Sequence, residues 1–130
     1  MKISNSPARF LKVSAAAVLL LAVAAPAQAH HSFARFDHAK EVTLTGTLKE
    51  FQWTNPHVWL QVVGNDGANK GVEWSIEAAS LNSLARKGWT RKSVAAGDKV
   101  EVVMNPARDG SKEGSLLRLK ANGKAVGQPD

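Results

Sequence analysis

Two histidines, His30 and His31, stand directly behind Ala27-Gln28-Ala29, and all four histidines of the chain (His30, His31, His38 and His57) lie within one short stretch. Cleavage after Ala29 makes His30 the first residue. Its free α-amine, with a pKa of about 8, then sits within chelating distance of its own imidazole. Such a terminus binds copper(II). His31 adds a second imidazole, a donor that suits copper, zinc and nickel, with copper favoured by intrinsic affinity. The expected metal is therefore copper or zinc, held by His30, His31 and His57. The competing reading is a polar chain end whose imidazoles only suit signal-peptidase processing.

A metal-binding imidazole needs a partner that orients it. Glu77 is the candidate for His57, because a hairpin over residues 57–78 places the two opposite each other on its polar face. The plain alternative is a cross-strand ion pair worth only a fraction of a kcal/mol, roughly. The same face carries Trp59, and Trp53 and Asn55 lie just before it. Together Trp53, Asn55, Trp59 and Glu77 can form a shelf on which a small ligand or saccharide ring stacks. Alternatively the preceding arm covers the tryptophans through Phe33 and Phe36. No spacing supports a nucleophile with its base, a phosphate cradle or a cysteine metal motif, so the expectation is a binding protein and not an enzyme.

These residues must be positioned by short strands. Residues 30–40 have no sustained period and read as an arm. From Glu41, Val42, Leu44 and Leu48 alternate with threonines and Lys49 in the period of a half-buried strand. Gly46 interrupts that register and signals a bulge or bend. Asn55-Pro56 marks a turn. Two further strands are predicted over His57–Val63 and Gly71–Ala78. Their expected pairing sets Val58 against Ile76, Leu60 against Trp74 and Val62 against Val72, and on the other face His57 against Glu77.

"SLNSLARKG" reads as a short helix capped by Ser80 and stopped by Gly88. Trp74 belongs to the core, and Trp89, just past the helix, plugs one end of it. A fourth strand covers Lys99–Met104, Asn105-Pro106 opens a loop, a fifth strand covers Ser115–Ala121, and residues 122–130 read as a flexible tail. The order strand, strand, strand, helix, strand, strand is that of an all-β domain with one short helix, the five-stranded OB-like barrel. A small open sheet with a helix on one side uses the same elements.

Residues 1–29 have the three parts of a signal peptide: the basic Lys2, Arg9 and Lys12, the apolar run Val13 to Ala25, and small residues before the cut. That run falls short of the ~20 residues a membrane-crossing helix needs. The expected location is periplasmic or secreted, with no membrane span in the mature protein. The chain has no cysteine, so the fold relies on its core without disulfides. The net charge of +6 falls to +3 once Lys2, Arg9 and Lys12 are removed, too little to demand a nucleic acid. The partners this leaves are a metal ion, a small molecule or another envelope protein.

The stretches "HHSF", "TLTGTL", "WTNPHVW" and "GWTRKSVAAGDKVEV" resemble a family of small exported bacterial proteins grouped as a domain of unknown function. The resemblance covers most of residues 30–120 and implies export and a compact β domain. It implies no particular activity.

Overall fold

The computed structural model describes residues 33–127. Residues 1–32, which include the expected leader and His30 and His31, and residues 128–130 lie outside the described residues. Six strands run β1 (Val42–Gln52), β2 (Trp59–Gly64), β3 (Glu73–Glu77), β4 (Lys99–Pro106), β5 (Glu113–Ala121) and β6 (Lys124–Ala125), with helix α1 (Leu81–Arg86) between β3 and β4.

The alternating β1 is long enough to serve two neighbours. Its first half pairs antiparallel with β4, from Val42 opposite Met104 to Thr47 opposite Lys99. Its second half pairs antiparallel with β2, from Gly46 opposite Gly64 to Gln52 opposite Trp59. Gly46 belongs to both ladders, and its missing side chain lets β2 approach. The ladder irregularity itself falls between Leu48 and Glu50, not at Gly46.

The β2–β3 hairpin corrects the expected register by two residues: Leu60 faces Ile76, Val62 faces Trp74, and Trp59, not His57, faces Glu77. The cause is the loop. Gly64 extends β2, donating to the Val72 carbonyl at 2.9 Å and accepting from the Gly71 amide at 2.9 Å, so the strands turn one pair later than expected. A slip of two leaves each side chain on its own face. Val58, Leu60, Val62, Trp74 and Ile76 are all buried as expected.

Closure comes from β5. It pairs antiparallel with β4 and parallel with β3, with Ser75 opposite Glu113, Ile76 opposite Gly114 and Glu77 opposite Ser115. The cycle β1–β2–β3–β5–β4 returns to β1, which makes the domain an OB-fold barrel and rules out the open sheet. Leu44, Leu48, Leu60, Val62, Ile76, Val102 and Met104 fill its interior. Helix α1 covers one end. Ser80 accepts from the Ser83 amide at its start, Leu84 faces inward, and Gly88 follows at φ 84°. Trp89 is buried in the same cluster.

Several boundaries differ from expectation: β2 begins at Trp59, β3 covers only Glu73–Glu77, and β5 begins at Glu113. Asn105 and Pro106 belong to β4, not to a loop, because Asn105 faces Ser115 and Pro106 faces Gly114. Residues 122–127, expected to be loose, turn at Asn122-Gly123, both at positive φ, and return as β6. The Val126 amide then donates to the Leu119 carbonyl at 2.9 Å, and its side chain packs on the core. Among the described residues no helix is long and apolar enough to cross a membrane.

Candidate functional site

His57 follows the Asn55-Pro56 turn, one residue before Val58. Val58 is fixed by two backbone bonds, its amide to the Ala79 carbonyl at 3.2 Å and its carbonyl from the Ala78 amide at 2.8 Å. With Val58 turned into the core, period-two alternation turns His57 and Trp59 outward. Glu77, the last residue of β3, points to the same outer face. Although the backbone pairs Glu77 with Trp59, its side chain reaches diagonally to His57, whose Nδ1 bonds Glu77 Oε1.

Glu77 is on the outer face yet only 6% exposed. The arm accounts for this. Arg35 Nη2 lies 3.7 Å from Glu77 Oε2 and 2.7 Å from Glu113 Oε2, and its guanidinium sits 5.9 Å from the Trp59 ring centre and 4.9 Å from that of Phe36. A carboxylate removed from water needs charged or hydrogen-bonding partners, and His57 and Arg35 supply them. Arg35 is held in place by its neighbours. Phe36 is 1% exposed and bridges to Ala107, the Asp37 amide donates to the Pro106 carbonyl at 2.8 Å, and the Arg108 amide donates to the Arg35 carbonyl at 2.9 Å.

With Nδ1 committed to Glu77, His57 has Nε2 left to donate a lone pair. Among the described residues Nε2 makes no hydrogen bond, and no group of three or more His, Asp or Glu could hold a metal ion. The remaining donors of the expected set, His30 and His31, lie outside the described residues. The expected shelf is divided. Trp53 packs against the core beside Phe51, their ring centres 5.7 Å apart, whereas Trp59 lies under Arg35. Asn55 is exposed in the turn, its carbonyl 3.4 Å from the Thr54 hydroxyl. Of the two phenylalanines expected as a cover, Phe36 is buried and Phe33 is 64% exposed.

Arg35 and Glu113 were not legible as site residues. The only signal for Arg35 is a cation between two phenylalanines, and Glu113 joins Glu77 through a parallel pairing that has no local mark in the sequence.

Residues 16–117 match the family of unknown function DUF6152. The chain belongs to DUF6152. The DUF6152 match spans the whole site from the arm to Glu113 and ends within β5. No curated protein matches the chain. Among solved structures, it is similar to two crystal forms of the mitochondrial single-stranded DNA binding protein Rim1 from S. cerevisiae. One has TM-score 0.49 and 10% identity, covering 65% of this chain and 95% of that one. The other has TM-score 0.48 and 10% identity, covering 70% and 97%. The OB assignment of this DUF6152 member rests on its strand pairings.

Proposed function

We propose that this DUF6152 chain is an exported binding protein for a transition metal, copper(II) foremost, held by the α-amine and imidazole of His30, by His31 and by His57 Nε2. The observation that carries the reading is the Glu77–His57 pair. A carboxylate on Nδ1 fixes the tautomer and orientation of an imidazole and raises the basicity of its other nitrogen, the usual outer-shell arrangement around a metal-bound histidine. Chain length supports it too. His31 stands four positions before Arg35, a reach of at most about 14 Å between Cα atoms, and Arg35 touches Glu77. Nitrogen donors without thiolate suit the divalent ion.

The test is a copper(II) titration, by calorimetry and visible absorption, of the chain beginning at His30. A second chain carries one extra residue before His30, and a third carries His57→Gln. Weaker binding by both variants, on the order of tenfold or more as for lost ligands or their supports, is expected. Equal affinity across the three would overturn the proposal.

A further inference from the structure

His38 lies on the arm three residues past Arg35, and both of its ring nitrogens meet oxygen. Nε2 is 2.9 Å from the Phe33 carbonyl and Nδ1 is 3.1 Å from Asn105 Oδ1. A carbonyl can only accept. The Asn105 amide cannot turn its NH2 toward the ring, because Nδ2 already donates to the Lys40 carbonyl at 2.7 Å, and reversing it would set two oxygens against each other. Turning the ring over would lose both bonds. Only an imidazolium, with a proton on each nitrogen, satisfies both acceptors.

Two further features favour that form. The Phe33 ring stacks on His38 with centroids 3.9 Å apart and planes 17° apart, and an aromatic face attracts a cation. Asn105, the partner on β4, is only 4% exposed, although the His38 ring itself lies at the surface, so the Asn105 end of the bond is the one withdrawn from water. The charged groups around the ring pair elsewhere. On the arm Asp37 lies 3.3 Å from Lys40 Nζ, and on the β4–β5 connection Arg108 Nη1 is 3.8 Å from Asp37. Glu41, at the end of the arm, pairs with Arg118 of β5 at 3.1 Å.

We propose that His38 is a proton-operated latch, which clamps the N-terminal arm to β4 when protonated and loosens it when the proton leaves. The docked arm then binds one proton more than the released arm, so docking weakens as pH rises. The residues held by this latch, Phe33 to Lys40, include Arg35, the cover of Glu77, and lead back to His30 and His31. The latch belongs to the described residues and does not depend on a metal being bound.

The experiment uses the full mature chain with a chelator present. Nitrogen-15 NMR reads the protonation of each His38 ring nitrogen, and hydrogen exchange reads the protection of the Asp37 amide between about pH 5 and 8, the histidine range. The expected result is a doubly protonated ring at the acid end. Protection of the Asp37 amide, corrected for the intrinsic exchange rate, should fall on the order of tenfold toward the alkaline end, with β2 amides unchanged. In His38→Gln the Asp37 amide should lose this pH dependence. Flat protection in the natural sequence, a docked arm with one bare ring nitrogen at pH 5, or the same fall in His38→Gln would each overturn the latch. Should His38→Gln not fold, the first two readings decide alone.

Discussion

Gly46 and Val63 approach so closely that a Cβ on Gly46 would stand 2.5 Å from the Val63 carbonyl oxygen and 2.6 Å from Val62 Cγ1. This contact sits where β1 changes partner from β4 to β2, so the barrel bends around a position that has no room for a side chain. Gly46→Ala is expected to destabilise the domain by about 1–3 kcal/mol, the usual cost of overpacking. Urea denaturation checks this, and an unchanged midpoint for Gly46→Ala would refute the crowding argument.

Phe36 anchors the arm. Phe36→Ala removes a side chain that is 1% exposed and should cost about 3 kcal/mol of arm docking, at the low end for a buried phenylalanine because one side of the site can collapse. The Asp37 amide would lose protection against exchange while the amides of β2 keep theirs. Equal loss in both places would mean that the arm and barrel unfold as one unit.

Glu77 links His57 to Arg35. Glu77→Gln keeps the shape but removes the charge that faces the Arg35 guanidinium and the His57 Nδ1, and should cost about 1–2 kcal/mol, less than a fully buried pair because His57 and Arg35 are partly exposed. In a double-mutant cycle with His57→Gln the two losses should fall short of additivity. Strict additivity would show that the pair contributes nothing.

Asp37 makes acid sensitivity specific to the arm. Burial acts to raise its pKa, but the Ala39 amide, the Lys40 ammonium and the Arg108 guanidinium outweigh it and hold the carboxyl below the ordinary value of 3.8. A carboxyl depressed in the folded state contributes stability above its unfolded pKa, and that contribution is lost as pH falls from about 3.8 through the lower folded value. Exchange at the Asp37 and Lys40 amides should therefore accelerate below about pH 4. In Asp37→Asn the added acid sensitivity should vanish. This window lies well below the general histidine range of about pH 5 to 8, so one pH series separates the two effects.

Ile76 faces the barrel interior with no exposed surface and lies beside Gly114 in the closing ladder. Ile76→Ala should cost about 2–5 kcal/mol, measured as a lowered denaturation midpoint. Nearly unchanged stability would mean that β3–β5 closure adds little to the core.

The side-chain faces of β2 and β3 were legible because a strand repeats every two residues, so Val58, Leu60 and Val62 declare their side whatever their neighbour is. The same period hides register: sliding the hairpin by two at Gly64 leaves every face intact, and nothing in Val58 or Ile76 distinguishes the two pairings. The helix was legible from Ser80 and Gly88, whose side chain and missing side chain act within one turn of chain. The extension of β4 through Asn105 and Pro106 was not, because a proline in a strand reads as a stop unless its missing amide is known to face away from the ladder.

By itself the sequence determined which faces of β2 and β3 would turn inward, where the helix begins and ends, and that His57 and Glu77 would share a face, since all of these follow from local periodicity and short-range capping. The tertiary structure alone decided that β5 returns parallel to β3, that Arg35 folds over Glu77, and that Asn105 meets His38. Each of those contacts joins residues far apart in the chain, and only the closure of the barrel brings them within bonding distance.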